Sequence, residues 1–455
     1  ETNFIVVLND NNMSISENVG GLSKYLNNVR TAEGYLDLKE GVYNTLKNSG
    51  KDGLIARIRR IKNGVKQLVV PGMFFEDMGI TYLGPVNGHD INALLRVFKD
   101  AKRVKGPVLV HVLTEKGKGY EPAERHPARF HGTDPFEPET GLPKNPRTTA
   151  NYTDIFSTVM CKLGKRNEKV VAITAAMPDG TGLKRFRNMY PERFFDVGIA
   201  EEHAVTFGAG LAAGGYIPVV AIYSSFLQRA YDQITQDVCI NGNAVTFAVF
   251  AGSVYGMNDV THLGLQDIPM LNSIPGLIYL APVTKEDYIA MLDWSLTQNE
   301  YPVAIKVPGG SMISTGVPVT KDFSKLDTYE ITKKGSRVAI LGLGTFYETA
   351  VKAANILKTS HGIDATVINP YYISGIDANT LNELKKDHAV VATLEDGYLE
   401  GGFGAKIAAF YGSSDMKVLN FGIKKEFIDR YDVSEVLKDN HLTPEQIAED
   451  IAATL

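Results

Sequence analysis

Short runs of core-type residues recur along this chain, separated by segments with helical spacing. They are Val108-Leu109-Val110-His111-Val112-Leu113 and then "KVVAITAAM", "PVVAIYS", "AVTFAVF" and "RVAILGLGTF". Strands of this kind alternating with helices dictate parallel sheets covered by helices, because parallel neighbours need a long crossover between them. Ligands of such sheets sit at the carboxyl ends of the strands. The expected fold class is therefore α/β, in three consecutive domains, each a mostly parallel sheet covered by helices.

The chain has 455 residues, too many for one core, and the length prior gives about three domains of ~150 residues each. Two polar connections place the boundaries. The first, "PFEPETGLPKNPRTTANYT", ends block one near residue 148. The second, "STGVPVTKDFSKLDTYEITKKGS", separates block two (149–325) from block three (326–455). Block one also holds a Lys/Arg-rich stretch read as helical, Lys47 to Lys66, and the turn, helix and strand of "PVNGHDINALLRVFKDAKRVKGP". Block two is expected to open with a helix over Tyr152–Leu163, and block three to place one over Glu348–Lys358.

Hydrophobic residues make up 44% and charged residues 22%, with a formal net charge of -5. So mild a charge argues against nucleic acid or an anionic membrane as partner. The apolar runs fall short of the ~18 residues needed to span a bilayer. No basic-then-apolar leader pattern opens the sequence, and the expected location is cytoplasmic. Cys161 and Cys239 lie far apart without CxxC spacing, so buried inert thiols are expected rather than a disulfide or zinc site.

Four places carry possible chemistry. In "FIVVLNDNNMSIS" apolar residues run into Asn9-Asp10-Asn11. The Asn11 side-chain oxygen and the Met13 carbonyl suit adjacent ligands of an octahedral magnesium ion on a diphosphate; a strand-ending turn explains the same cluster. In "FFDVGIAEEHAVTFGAGLAAGGY" Glu201 and Glu202 open a small-residue helix. If one of them is buried it can hold or relay a proton, whereas two solvated carboxylates at a helix N-terminus are simply favoured by the dipole. In "AIYSSFLQRAYDQITQDV" Phe226 and Arg229 fall at i and i+3 after a strand, suiting a flat heteroaromatic ligand with an anionic tail; an amphipathic core helix with Tyr223, Phe226 and Leu227 inside is the other reading. His131 in "ARFHGTDPF" and His262 in "NDVTHLG" lie among loop residues and can face a substrate, while His111 and His388 occupy strand or strand-edge positions and read as structural. "GLGTF" lacks the third glycine of a dinucleotide fingerprint and reads as a tight strand-to-helix turn.

Taken in order, "LNDNNMSISENVG", "GPVNGHD", "TEKGKGYEPAE", "FHG", "VGIAEEHAVTFGAGLA" and "YSSFLQRAYDQ" resemble the 1-deoxy-D-xylulose-5-phosphate synthases, thiamine-diphosphate enzymes of the transketolase superfamily. The similarity runs over essentially the whole chain. It implies that residues 1–148 are the later part of a diphosphate-binding domain, 149–325 a pyrimidine-binding domain and 326–455 a transketolase C-terminal domain. It also implies thiamine diphosphate and Mg2+ as cofactors, and pyruvate with glyceraldehyde 3-phosphate as substrates. A homodimer and roles in isoprenoid and thiamine biosynthesis follow from the same resemblance. Asn11 and Met13 then match metal ligands, and Tyr120 a cofactor-contacting tyrosine. Glu201 matches the glutamate that hydrogen-bonds the aminopyrimidine and activates the thiazolium carbon. Phe226 matches the ring packed on the pyrimidine, Tyr223 and Arg229 line the same region, and His131 and His262 match proton-moving histidines that face the substrate.

Two departures are visible. The family's thiamine motif opens with Gly-Asp-Gly upstream of the first residue here, so a fragment or half of a split enzyme is expected, with weak cofactor binding alone. In the acceptor region Asn258 stands at an aspartate's place, while Ala251 and Gly309, in Val307-Pro308-Gly309-Gly310, stand where phosphate-gripping arginines are expected. Lys306 or Arg229 are the expected substitutes, though a lysine makes a poorer fork than a guanidinium. The alternatives are a different aldehyde acceptor, or a non-catalytic transketolase-like subunit.

Overall fold

The computed structural model describes residues 3–13, 21–31, 73–310 and 312–455. The helical reading of Lys47 to Lys66 lies outside the described residues. The chain divides into two compact units, Glu1–Pro146 and Arg147–Leu455.

The first unit holds a three-stranded parallel sheet of β1 (Ile5–Asp10), β2 (Thr81–Asn87) and β3 (Val108–Leu113), in the order β1-β3-β2. The helix Ile91–Ala101 lies in the β2–β3 crossover, and the Asp90 side chain caps it by accepting from Asn92 N and Ala93 N. Its apolar face packs on Val108, Val110 and Val112 of the central strand. His111 is fully buried, with Nδ1 2.7 Å from the Tyr82 hydroxyl and Nε2 3.0 Å from Asp10 Oδ2, as a structural histidine should be. One expectation changes here. The first strand reads as buried, yet Ile5, Val6 and Val7 are 40%, 39% and 49% exposed, because β1 pairs on one side only among the described residues.

The second unit carries two sheets. The six-stranded sheet is wholly parallel, in the order β5-β4-β6-β7-β9-β8, with β4 (Val170–Thr174), β5 (Phe194–Asp196), β6 (Ile217–Tyr223), β7 (Thr246–Phe250), β8 (Ile278–Leu280) and β9 (Val303–Val307). The five-stranded sheet runs β10-β12-β11-β13-β14, from β10 (Glu330–Lys333), β11 (Arg337–Gly342), β12 (Thr366–Asn369), β13 (His388–Tyr398) and β14 (Lys417–Ile423). Only β10 is antiparallel to its neighbour. Continuous apolar runs buried on both faces account for the parallel strands. A single apolar cluster joins Ile173, Val220 and Val249 of one sheet to Leu341, Val391 and Phe403 of the other part, so the two sheets share a core.

Helix ends follow capping chemistry. Tyr152–Arg166 begins with a capping box between Asn151 and Asp154 and runs one turn beyond the expected end at Leu163. Tyr347–His361 contains the expected Glu348–Lys358 and is closed by Gly362 in the left-handed conformation. "GLGTF" forms a 3-10 turn, Gly344–Phe346, leading into that helix, as expected of a tight connection. In the six-stranded sheet β4 is flanked by β5 on one side and β6 on the other, so the strand order reverses there. A crevice outside the carboxyl ends of those strands is where such sheets bind ligands.

Candidate active site

β5 ends at Asp196, whose Oδ1 accepts from Ala176 N at 2.8 Å and Gly198 N at 3.0 Å. This one carboxylate fixes the loop after β4 and the loop that leads into the helix Glu201–Ala213. That helix starts without a side-chain cap, and its first residue, Glu201, is 2% exposed while Glu202 faces solvent. The two neighbouring carboxylates thus occupy different environments. Arg229 Nη1 donates to Glu201 Oε2 at 3.2 Å from the segment after β6.

Tyr223 ends β6. Its ring stacks on Phe226 with centroids 6.0 Å apart and planes 17° apart, and Phe226 meets His262 edge-on at 5.1 Å. Burial pushes the Tyr223 phenol above its ordinary pKa. Gly180, in the loop after β4, leaves room for the Tyr223 hydroxyl, which would lie 2.2 Å from an added Cβ. The segment carrying Phe226 and Arg229 differs from the single amphipathic helix expected. It is an α turn, Ser224–Leu227, then a 3-10 turn, Gln228–Ala230, a second α turn and a π-helix, Ile234–Cys239. Mixed turn types of this kind cluster at functional sites. Ser224 Oγ and Ser225 Oγ are buried there without a hydrogen-bond partner among the described residues.

His262 closes a short 3-10 turn whose cap is Asp259; Asp259 Oδ1 accepts from Thr261 N at 2.9 Å and from the Thr261 hydroxyl, which itself lies 2.8 Å from His262 Nδ1. The Thr261 hydrogen bonds hold the Asp259 carboxyl below the usual range. Asn258 braces this loop on the C-terminal part of the unit. Its carbonyl accepts from Arg430 N at 2.6 Å and its Nδ2 donates to Tyr431 O at 3.3 Å.

Backbone closes the space at Gly309 and packs the Ala251 carbonyl against Gly264. Ala251 adopts φ 54, and its carbonyl would lie 1.7 Å from a Cβ on Gly264; a Cβ on Gly309 would meet Tyr255 O at 2.3 Å. Lys306, the expected substitute cation, is 4% exposed and donates to Asp267 Oδ2 at 2.7 Å, an oxygen that also accepts from the Tyr279 hydroxyl. Its charge is spent inside the fold, because a buried ammonium needs a buried counter-charge.

In the first unit, Asn11 Oδ1 accepts from Met13 N at 3.0 Å and Asp10 Oδ1 from Asn12 N at 2.9 Å. The cluster therefore forms the turn that one reading gave, with Asn12 left-handed at φ 61. An amide oxygen has two lone pairs, so one remains on Asn11. No group of three His, Cys, Asp or Glu side chains suited to a metal occurs among the described residues. The Tyr120 hydroxyl donates to Pro138 O at 2.8 Å and its ring packs edge-on against Phe130. His131 is exposed, and Lys116 Nζ lies 3.1 Å from its Nδ1. Thus Asn11, Met13, Tyr120 and His131 belong to one unit, and the Glu201–Arg229 pair and the Tyr223–Phe226–His262 stack to the other. Sequence reading missed Asp196, the Asp267–Tyr279 pair and the Asp429–Tyr431 brace, since each acts through a partner distant in sequence.

Among solved structures the chain resembles a split-gene transketolase described as an inactive β4 tetramer, at 24% identity and a TM-score of 0.58, covering 66% of this chain and 97% of that one. It also resembles the Pichia stipitis transketolase complex with sedoheptulose 7-phosphate, at 16% identity and a TM-score of 0.56, covering 82% and 66%. These likenesses define the fold as that of transketolases. Family models agree: residues 1–114 match 1-deoxy-D-xylulose-5-phosphate synthase, 148–312 the transketolase pyrimidine binding domain and 327–447 the transketolase C-terminal domain. Curated relatives named 1-deoxy-D-xylulose-5-phosphate synthase include those of Lachnoclostridium phytofermentans, 43% identical over 99% of this chain and 72% of the relative, and Clostridium acetobutylicum, 44% identical over 99% and 73%. The chain belongs to the 1-deoxy-D-xylulose-5-phosphate synthase family, a family of transketolase-class transferases that implies dependence on thiamine diphosphate. No helix among the described residues is long and apolar enough to cross a membrane.

Proposed function

We propose that this chain decarboxylates pyruvate and joins the remaining two-carbon unit to glyceraldehyde 3-phosphate, giving 1-deoxy-D-xylulose 5-phosphate. The observation that carries the reading is Glu201: a carboxylate 2% exposed at a helix start, at the reversal point of a parallel sheet, with only Oε2 engaged among the described residues. When bound, thiamine diphosphate supplies the electron sink for decarboxylation and carbon–carbon bond formation.

The pyrimidine side fits that cofactor. The orphaned Ser224 and Ser225 hydroxyls, on the same short turn as Phe226, mark a polar place without its partner among the described residues. Glu201 would hold and move a proton on the aminopyrimidine, Phe226 would pack on its ring, and Arg229 would orient the Glu201 carboxylate. His262, fixed by Thr261, and His131 would each exchange protons with substrate. Tyr223 and Asn258 would bound the substrate space, Tyr120 would contact the cofactor, and Asn11 with Met13 would contribute to Mg2+ binding. The domain reading that goes with these roles is 1–148, 149–325 and 326–455, in a cytoplasmic homodimer.

A second reading keeps the cofactor and changes the acceptor. It is favoured by Ala251 and Gly309, neither of which carries a cation, and at Gly309 the Tyr255 carbonyl leaves no room for a side chain. Turnover of pyruvate with phosphorylated and with free glyceraldehyde separates the two: a clear preference for the phosphorylated aldehyde supports the first, and equal rates support the second.

A further inference from the structure

The proposed product draws two carbons from pyruvate, so the acceptor brings the other three together with the phosphate. Selecting a phosphorylated aldehyde over a free one calls for a cation that meets the phosphate. Lys306 is buried against Asp267, and Arg229 is engaged with Glu201. Arg430 differs from both. Its guanidinium is exposed and meets no acceptor among the described residues.

Its backbone is fastened to the loop that ends in His262. Arg430 N donates to Asn258 O at 2.6 Å, and the flanking residues repeat the attachment. Asp429 Oδ1 accepts from Val260 N at 3.1 Å, Tyr431 O accepts from Asn258 Nδ2 at 3.3 Å, and the Tyr431 hydroxyl donates to Val254 O at 2.9 Å. The C-terminal part of the chain thereby carries Arg430 along the substrate loop. Arg430 also holds φ 46, a left-handed conformation that costs a non-glycine residue on the order of 1 kcal/mol and persists where its surroundings enforce it. Packing gives no reason for an arginine there, since its side chain is in solvent.

We propose that Arg430 is the specificity-determining cation for the acceptor's phosphate, reaching a phosphorylated three-carbon aldehyde from the C-terminal side of the His262 loop. This rests on the reading of the reaction given above. Arginine suits the task because its planar fork can meet two phosphate oxygens at once. The acceptor end of the site then draws its walls from two parts of the unit, with Asn258 as the clip between them.

The test is calorimetric titration of the full protein with glycerol 3-phosphate, which has no aldehyde and cannot react, alongside kinetics with phosphorylated and free glyceraldehyde. Arg430→Ala should weaken glycerol 3-phosphate binding by roughly 10-fold or more, the loss of a charge-assisted fork. It should lower the preference for the phosphorylated aldehyde by a similar factor, and Arg430→Lys should recover part of both. Arg430→Gly guards against misfolding, because glycine accepts the left-handed backbone without strain. Unchanged glycerol 3-phosphate affinity in both the Ala and Gly variants of an active protein overturns the Arg430 assignment alone. If the unsubstituted protein makes no 1-deoxy-D-xylulose 5-phosphate, the reading of the reaction fails and this assignment falls with it.

Discussion

Arg229 and Glu201 form an ion pair of unequal burial: the carboxylate is 2% exposed, the guanidinium 57%, and 28 residues of sequence separate them. With its cation solvated, the attraction itself contributes at most about 1 kcal/mol. Stranding the buried carboxylate is the larger effect, about 1–3 kcal/mol. Arg229→Ala should therefore lower the thermal midpoint by a few degrees, at ~2–4 °C per kcal/mol for a domain of this size. Arg229→Lys should restore part of it. Calorimetry showing Arg229→Ala as stable as the parent would mean that Glu201 does not depend on this partner.

Lys306 makes the opposite kind of pair. Both ends are buried, and Asp267 Oδ1 finds no partner among the described residues, so the network has no slack. Lys306→Ala leaves that carboxylate uncompensated and should cost about 3–5 kcal/mol in urea unfolding. The KM for aldehyde should move little in whatever fraction remains folded. A stable variant with a greatly raised aldehyde KM would instead make Lys306 a substrate contact.

Gly309 is steric rather than electrostatic. An arginine installed there to grip phosphate has its Cβ 2.3 Å from the Tyr255 carbonyl, a backbone atom that cannot swing aside. Gly309→Arg is expected to destabilise the unit by more than about 2 kcal/mol without improving selectivity for a phosphorylated aldehyde. Improved selectivity with the midpoint intact would show that the loop opens to admit a side chain.

Glu395 gives a pH dependence. It is buried at the head of the helix Phe403–Tyr411 and accepts from Phe403 N and Gly404 N, both at 2.8 Å. Burial outweighs those bonds and the nearby lysines and pushes its carboxyl up to about 7 from 4.5. Because the folded value is raised, the stability it contributes is complete below about 4.5 and is lost as pH climbs through about 7. Relative to Glu395→Gln, the parent should thus lose on the order of 3 kcal/mol between pH 4.5 and 7.5, at 1.36 kcal/mol per pKa unit. Parallel stability curves for the two proteins across that range would contradict the assignment.

The parallel sheets were legible because their strands are continuous apolar runs, a pattern set by burial on both faces and visible in "KVVAITAAM" or "RVAILGLGTF". The contrast between Glu201 and Glu202 could be foreseen as a contrast but not assigned, since which carboxylate is buried depends on where the helix starts. The broken helix after Tyr223 was not legible. Its apolar spacing suits a regular helix, and the switch to 3-10 and π turns comes from tertiary packing. Lys306 misled for a related reason: sequence shows a cation but not its buried partner, 39 residues away in the chain. Asp429, Arg430 and Tyr431 gave no signal, because their contacts are hydrogen bonds to residues about 170 positions away, formed only in the folded unit.

The most direct measurement follows isotope-labelled pyruvate and glyceraldehyde 3-phosphate by NMR, with thiamine diphosphate and Mg2+ present, in the parent protein and in Glu201→Gln. The parent should release labelled carbon dioxide and form 1-deoxy-D-xylulose 5-phosphate. The variant, with the same side-chain shape but no charge, should lose at least ~100-fold in rate, the lower bound for removing a positioned proton-transfer group, while keeping its thermal midpoint. Absence of the product from the parent, or an undiminished rate in Glu201→Gln, would contradict the account.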